Sequence, residues 1–151
     1  MERTLILVKP DAYDRMLCGE VIARFERKGL RPVAAKVLTM TDDLAAAHYA
    51  EHVGKPFYGR LVGFMTSGPL MALVLEGPSA IAAARQLIGA TDPLLAAPGT
   101  IRGDFGVESA RNLVHGSDSA KSAVREIEIF FPELRDPAAP AAASLHTAQL
   151  V

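Results

Sequence analysis

The stretch Thr4-Leu-Ile-Leu-Val8, stopped by Lys9-Pro10-Asp11, decides how the rest of the chain reads. A short apolar, β-branched run with no helical spacing is the pattern of a buried strand. Pro10 brings no amide proton to a ladder and ends the run. Outward from it, Leu17, Val21, Ile22 and Phe25 recur at helical intervals over residues 17–29, and Gly29 stands where a C-terminal cap is expected. Residues 31–39 (RPVAAKVLT) read as a second strand. Asp42 and Asp43 can open a helix to about His52, and Pro56 another to about Met65. A Gly68-Pro69 turn leads into a third buried strand over residues 70–75, and Pro78 starts a helix to Ile88.

Residues 89–111 are rich in Gly, Pro and Thr and show no periodicity. A loop of that length in a small domain is usually functional. Residues 113–115 suit a short last strand, and Ser117 or Ser119 caps a helix that turns Ala123, Ile127 and Phe130 inward. This order predicts an α+β fold of ferredoxin-like, split β-α-β type: a four-stranded antiparallel sheet covered by helices. The domain is expected over residues 1–134, and the Ala/Pro-rich residues 135–151 as a mobile tail.

Composition narrows the function. The 151 residues hold 16 Lys and Arg against 17 Asp and Glu, a net charge of −1, with 50% hydrophobic and 22% charged residues. That is a globular profile, and near-neutrality argues against a broad basic face, so nucleic acid is not an expected partner. No apolar run approaches the roughly 20 residues of a membrane helix, so no membrane partner is expected. The first apolar stretch, cut short by Lys9, is expected to be neither signal peptide nor anchor. Cys18 is the one cysteine, which rules out an internal disulfide or a cysteine metal cage and points to a reducing cytoplasm.

Glycine-rich phosphate loops and the G-x-S-x-G elbow are missing. His48 and His52 are i,i+4 but lack the intervening Glu of a metalloprotease helix, so a solvated helix face is expected for them. His115 differs. It ends a short strand and is followed by Gly116-Ser117-Asp118, small neighbours that leave a ring accessible. Arg85 leads into the long loop, which carries Thr91, Thr100 and Arg102, and Lys9 ends the first strand. Guanidinium forks and hydroxyls suit phosphate oxygens, so these groups converging on a histidine would make a polyphosphate site.

The segment Asn112-Leu-Val-His115-Gly-Ser-Asp118 resembles the N-x-x-H-G-S-D signature of nucleoside diphosphate kinases. Also similar to that family, in order, are Lys9-Pro10-Asp11, Gly19-Glu20, Arg24-Phe25-Glu26, Pro56-Phe57, residues 65–69 (MTSGP), Gly89-Ala90-Thr91 and residues 98–105 (PGTIRGDF). The resemblance implies γ-phosphate transfer, mainly from ATP, to a nucleoside diphosphate by a ping-pong route, with His115 as nucleophile and Glu126 orienting its other nitrogen. It further implies Lys9 and Asn112 at the transferred phosphate and sugar hydroxyl, and Arg85, Thr91 and Arg102 on the other phosphates. Tyr49 would stand beside the transferred group and Phe57 against the base. Mg²⁺ is implied as cofactor, held through the nucleotide's phosphates, and so is a hexamer or tetramer. Removal of Arg102 is expected to weaken nucleotide binding with the fold intact.

Overall fold

The structure, a computed structural model, describes residues 1–135. Four strands, β1 (Glu2–Val8), β2 (Arg31–Thr39), β3 (Pro69–Gly77) and β4 (Val114–Gly116), form one sheet in the order β2-β3-β1-β4. Every pairing is antiparallel. The helices are α1 (Pro10–Asp14), α2 (Cys18–Arg27), α3 (Asp42–His48), α4 (Tyr58–Met65), α5 (Ala80–Ile88), α6 (Ile101–Phe105) and α7 (Ala120–Phe130). This is the expected ferredoxin-like architecture.

Strand β1 is central, and its side chains enter two cores. Ile6 and Val8 pack with Leu73 and Leu75 of β3 against Val21 and Phe25 of α2 and Ala84 and Ile88 of α5. Leu5 and Leu7 pack on the other face with Ala72 and Val74 against Met65 of α4, Ala45 of α3 and Phe130 of α7. A strand buried on both faces needs no polar alternation, which is why its sequence shows none. Edge strand β2 does alternate, and its ladder slips at a bulge between Pro32 and Ala34, where proline has no proton to donate.

Local chemistry sets the ends of the elements. Gly29, at φ +93°, closes α2: its amide donates to the Glu26 carbonyl, and the Leu30 amide donates to that of Phe25. Thr41 caps α3 by accepting from the Leu44 amide, and Ser119, rather than Ser117, caps α7 by accepting from Ser122.

Several expectations need correction. Pro10 ends β1 but also opens α1, a single turn with proline in its first position. The segment after Asp42 is helical only to His48 and continues as a 3₁₀ turn, Ala50–His52. The next helix starts at Tyr58 and not Pro56; α5 starts at Ala80; Pro69 is already the first residue of β3. Residues 89–111 are not one loop, since they contain α6 and a 3₁₀ turn, Ser109–Arg111. Helices of one turn carry too few residues to show a period. The reading of residues 136–151 as a mobile tail lies outside the described residues.

Phe25 is fully buried in the α2/α5 core. Phe25→Ala should cost about 3–5 kcal/mol of unfolding free energy in urea, and a loss under ~1 kcal/mol would show that face to be loosely packed.

Candidate active site

β4 has three residues, yet it carries the central group. His115 pairs with Leu7 of β1, which points its ring to the α3/α7 face. There its Nε2 lies 3.0 Å from Oε2 of Glu126, one of the inward positions of α7. The same carboxylate oxygen accepts the Ser117 hydroxyl proton at 2.7 Å, and the Ser117 oxygen accepts the Leu5 amide at 3.1 Å. The acid beneath the histidine is thus tied to the central strand. A carboxylate on Nε2 fixes the proton there and leaves Nδ1 with its lone pair.

Cations gather around this ring from three elements. The Lys9 ammonium donates to Asn112 Oδ1 at 2.7 Å. Burial pulls its pKa down to about 8, helped by the charge of Arg102 and opposed by Asp11. Arg85 donates to the Gly116 carbonyl at 3.2 Å, and its charge adds to burial in lowering Arg102 to about 10. Arg102 therefore lies within electrostatic reach of both Lys9 and Arg85. Asn112 is buried and donates Nδ2 to the Thr91 carbonyl at 3.1 Å, which ties the loop to the site.

Arg102 does more than face a ligand. Only 7% exposed, it donates Nε to the Asn112 carbonyl (3.1 Å), Nη1 to Gly89 (3.2 Å) and Nη2 to Val114 (2.7 Å). One side chain pins the start of the long segment and both residues flanking Leu113. Its removal would leave three carbonyls without this donor, a stability cost beyond the weakened nucleotide binding expected from sequence, and two of its protons remain free for an anion.

The second histidine expectation is also overturned. His48 is 4% exposed, not solvated, because α3 turns it into the core. Its ring meets those of His115 (4.8 Å between centroids, 84°), Tyr49 (4.5 Å) and Phe130 (5.2 Å). Neither ring nitrogen has a hydrogen-bond partner. Burial above all, then the charges of His115, Arg125 and Lys9, hold its pKa well below the usual histidine range, so it stays neutral. Burial likewise raises Tyr49, whose phenol remains a donor. Edge and stacked contacts continue from Tyr49 to His52 (6.2 Å) and from His52 to Phe57 (5.2 Å). Phe57 is 48% exposed and lines an apolar cleft of about 520 Å³ with Leu61, Phe64, Ala110 and Arg111.

The structure thus puts Glu126 and Tyr49 at His115, joins Lys9, Asn112 and the backbone of Thr91 by hydrogen bonds, anchors Arg85 and Arg102 on the carbonyls flanking His115, and leaves Phe57 at the far end of a chain of rings. Sequence reasoning missed His48, Ser117 as a support for Glu126, and Arg125, which donates to the Ala47 and His48 carbonyls. Ser117, flanked by His115 and a small run, carried a signal; the burial of His48 carried none, because a period of one short helix does not tell which face is inward.

The arrangement can be set beside known proteins. A family model for nucleoside diphosphate kinase matches residues 2–135. The nucleoside diphosphate kinase of Parafrankia sp. (strain EAN1pec) is 62% identical over 133 residues, 88% of this chain and 97% of its own length. That of Thermobifida fusca (strain YX) is 60% identical over 134 residues, 89% of this chain and 99% of its own. Among solved structures, a nucleoside diphosphate kinase family protein from Babesia bovis superposes with a TM-score of 0.85 at 51% identity, covering 88% of this chain and 90% of that one. A nucleoside diphosphate kinase from Halobacterium salinarum in complex with CDP gives 0.84 at 51% identity, covering 86% and 87%.

Two outcomes follow from the geometry. Because Lys9 attracts phosphate only when charged, the association constant for pyrophosphate should fall as pH rises through about 8, toward about tenfold per unit; isothermal titration that finds no such fall, or an equal fall in Lys9→Gln, would remove Lys9 from the site. Arg102→Lys should lose about 2–4 kcal/mol in urea unfolding, since one ammonium cannot replace three carbonyl contacts.

Proposed function

The chain belongs to the nucleoside diphosphate kinase family, phosphotransferases that act on nucleotides, and we propose that it works by a ping-pong route through a phosphohistidine at His115. In the first half, Nδ1 of His115 attacks the γ-phosphorus of a nucleoside triphosphate, mainly ATP; the bond from that phosphorus to the bridging oxygen breaks, and the nucleoside diphosphate leaves with the electron pair. In the second half, a terminal oxygen of another diphosphate takes the phosphoryl group and the N–P bond breaks. The ring keeps its proton on Nε2 throughout, so neither half needs a general base. The observation that carries this reading is the Nε2 contact with Glu126, which leaves Nδ1 as the nitrogen with a lone pair.

The remaining roles are positioning and neutralisation of a loose phosphoryl transition state. Lys9 meets the transferred group and the sugar 3′-hydroxyl, and Asn112 holds that hydroxyl while fixing the ammonium. Arg85, Thr91 and the free protons of Arg102 bind the phosphates that stay behind. Neutral Tyr49 donates to the moving phosphoryl group. Phe57 stacks its exposed face on the base, a contact that reads no base edge and suits both purines and pyrimidines.

Mg²⁺ completes this reading by neutralising phosphate oxygens when a nucleotide is bound. The residues present fit an ion carried in by the nucleotide. The pocket at His115 is lined by three carboxylates, Glu51, Asp118 and Glu126; Glu126 is committed to the ring and to Ser117, while the exposed Asp118 is held ionised by the Ser122 and Ser119 hydroxyls and by Arg85. Asp118 and Glu51 are the carboxylates left to reach such an ion.

Turnover of this kind would maintain cellular NTP and dNTP pools, with the reduced thiol of Cys18 suiting a cytoplasmic setting. Among the described residues, no helix is long and apolar enough to cross a membrane. Assembly as a hexamer or tetramer is part of the same reading and rests on the family resemblance.

Incubation with γ-labelled ATP should give an acid-labile phosphoenzyme that discharges onto any nucleoside diphosphate. His115→Ala should form none and lose exchange at least 10⁴-fold; appreciable exchange by that variant would overturn the mechanism.

A further inference from the structure

Between Asn112 and His115 the backbone does something an extended strand cannot. Leu113 is a buried, non-glycine residue at φ +75°, and the Val114 amide donates to the Asn112 carbonyl at 2.8 Å. Together these make a γ-turn of the rare, strained kind. Its effect follows from strand geometry. Positions three apart on a strand point to opposite faces. Val114 packs in the α2/α5 core while His115 faces α3 and α7, so an extended chain would send Asn112 to the face away from His115. The turn instead delivers the Asn112 amide to Lys9, which follows Leu5 and Leu7 on the His115 side of β1.

Strain persists only where the surroundings hold it. Arg102 holds the two flanking carbonyls, and the Lys9 amide donates to the Leu113 carbonyl at 2.8 Å. The Leu113 amide itself is held by one group: Oδ2 of Asp11, at 3.2 Å, from the first turn of α1. The other oxygen, Oδ1, is buried with no hydrogen-bond partner. Half of this carboxylate is thus unused by hydrogen bonding, and a neutral acceptor could serve the amide alone. What a neutral group could not supply is charge beside Lys9.

We propose that Asp11 is a positioning residue for phosphoryl transfer, its carboxylate locking the γ-turn that seats Asn112 and His115 and its charge keeping Lys9 an ammonium. The inference rests on the reading of His115 and Lys9 above. The groups facing Lys9 are Asp11 from α1, Asn112 and, from α6, Arg102, with Arg85 of α5 beyond it; the neutral ring of His48 feels Lys9 from α3. Burial and, after it, Arg102 weaken the hold of Lys9 on its proton, and Asp11 is the opposing charge.

Two variants separate the two roles. Asp11→Asn keeps an acceptor for the Leu113 amide but removes the charge; Asp11→Ala removes both. In kcat/KM against pH, Asp11→Asn should lose activity on the alkaline side at least half a pH unit earlier than wild type, with kcat at pH 6.5 reduced less than about fivefold. Asp11→Ala should lose at least about thirtyfold in kcat at every pH, and form the His115 phosphoenzyme correspondingly slowly. An unmoved alkaline limb in Asp11→Asn overturns the electrostatic role, because a merely structural residue would leave it in place. Wild-type kcat in Asp11→Ala overturns the lock. Wild-type chain supplies a readout that needs no variant: the Leu113 amide should exchange with solvent at least a hundredfold slower than an unbonded loop amide, and equal rates overturn the lock as well. Failure of the parent reading is distinct, since wild-type enzyme would then form no phosphohistidine at all.

Discussion

The positive charge beside His115 is gathered from distant parts of the chain, and one buried guanidinium makes that possible. Arg102 donates to the carbonyls of Gly89, Asn112 and Val114. Those residues belong to the entry of the long segment, the buried Asn112 and the strand of His115. The contacts draw a cation into a place where cations already crowd, at the cost of a depressed Lys9 and a depressed Arg102. Such crowding is unfavourable by itself and would be relieved by an anion, so the field that opposes folding locally is one that favours anion binding.

A second constraint runs the other way, from the core outward. Glu126 sits under His115 because α7 turns it inward, and Ser117 links the same oxygen to the Leu5 amide in the middle of the sheet. The orientation of the histidine is therefore set by the most deeply buried strand of the molecule. Surrounding rings, His48 above all, close the other side without offering it a hydrogen bond. The His115 ring is thus walled on one side and tethered on the other.

How much of this could be read from residues alone depended on length and burial. β1, α2 and β3 were legible because apolar runs and helical spacing persist over enough positions to be distinguished. α1 and α6, at five residues each, were not, since a single turn has no measurable period and is set by caps such as Thr100, which accepts from Gly103. His115, Lys9 and Arg102 could be picked out by type and context, and Asn112 through the family resemblance. That His48 is buried, that Arg102 serves the backbone, and that Leu113 bends the chain could not, because each depends on what lies opposite in space.

By itself, the sequence determined the alternation of strands and helices, the two-sided burial of β1, the family resemblance and a net charge of −1 that excludes a broadly basic surface. Tertiary structure alone decided which nitrogen of His115 is tied to Glu126, which histidine is neutral, and where the charge is concentrated. The physical reason is that patterns along a chain report burial averaged over neighbours, whereas protonation, tautomer and strain are fixed by single contacts between residues as far apart as Lys9 and Asn112.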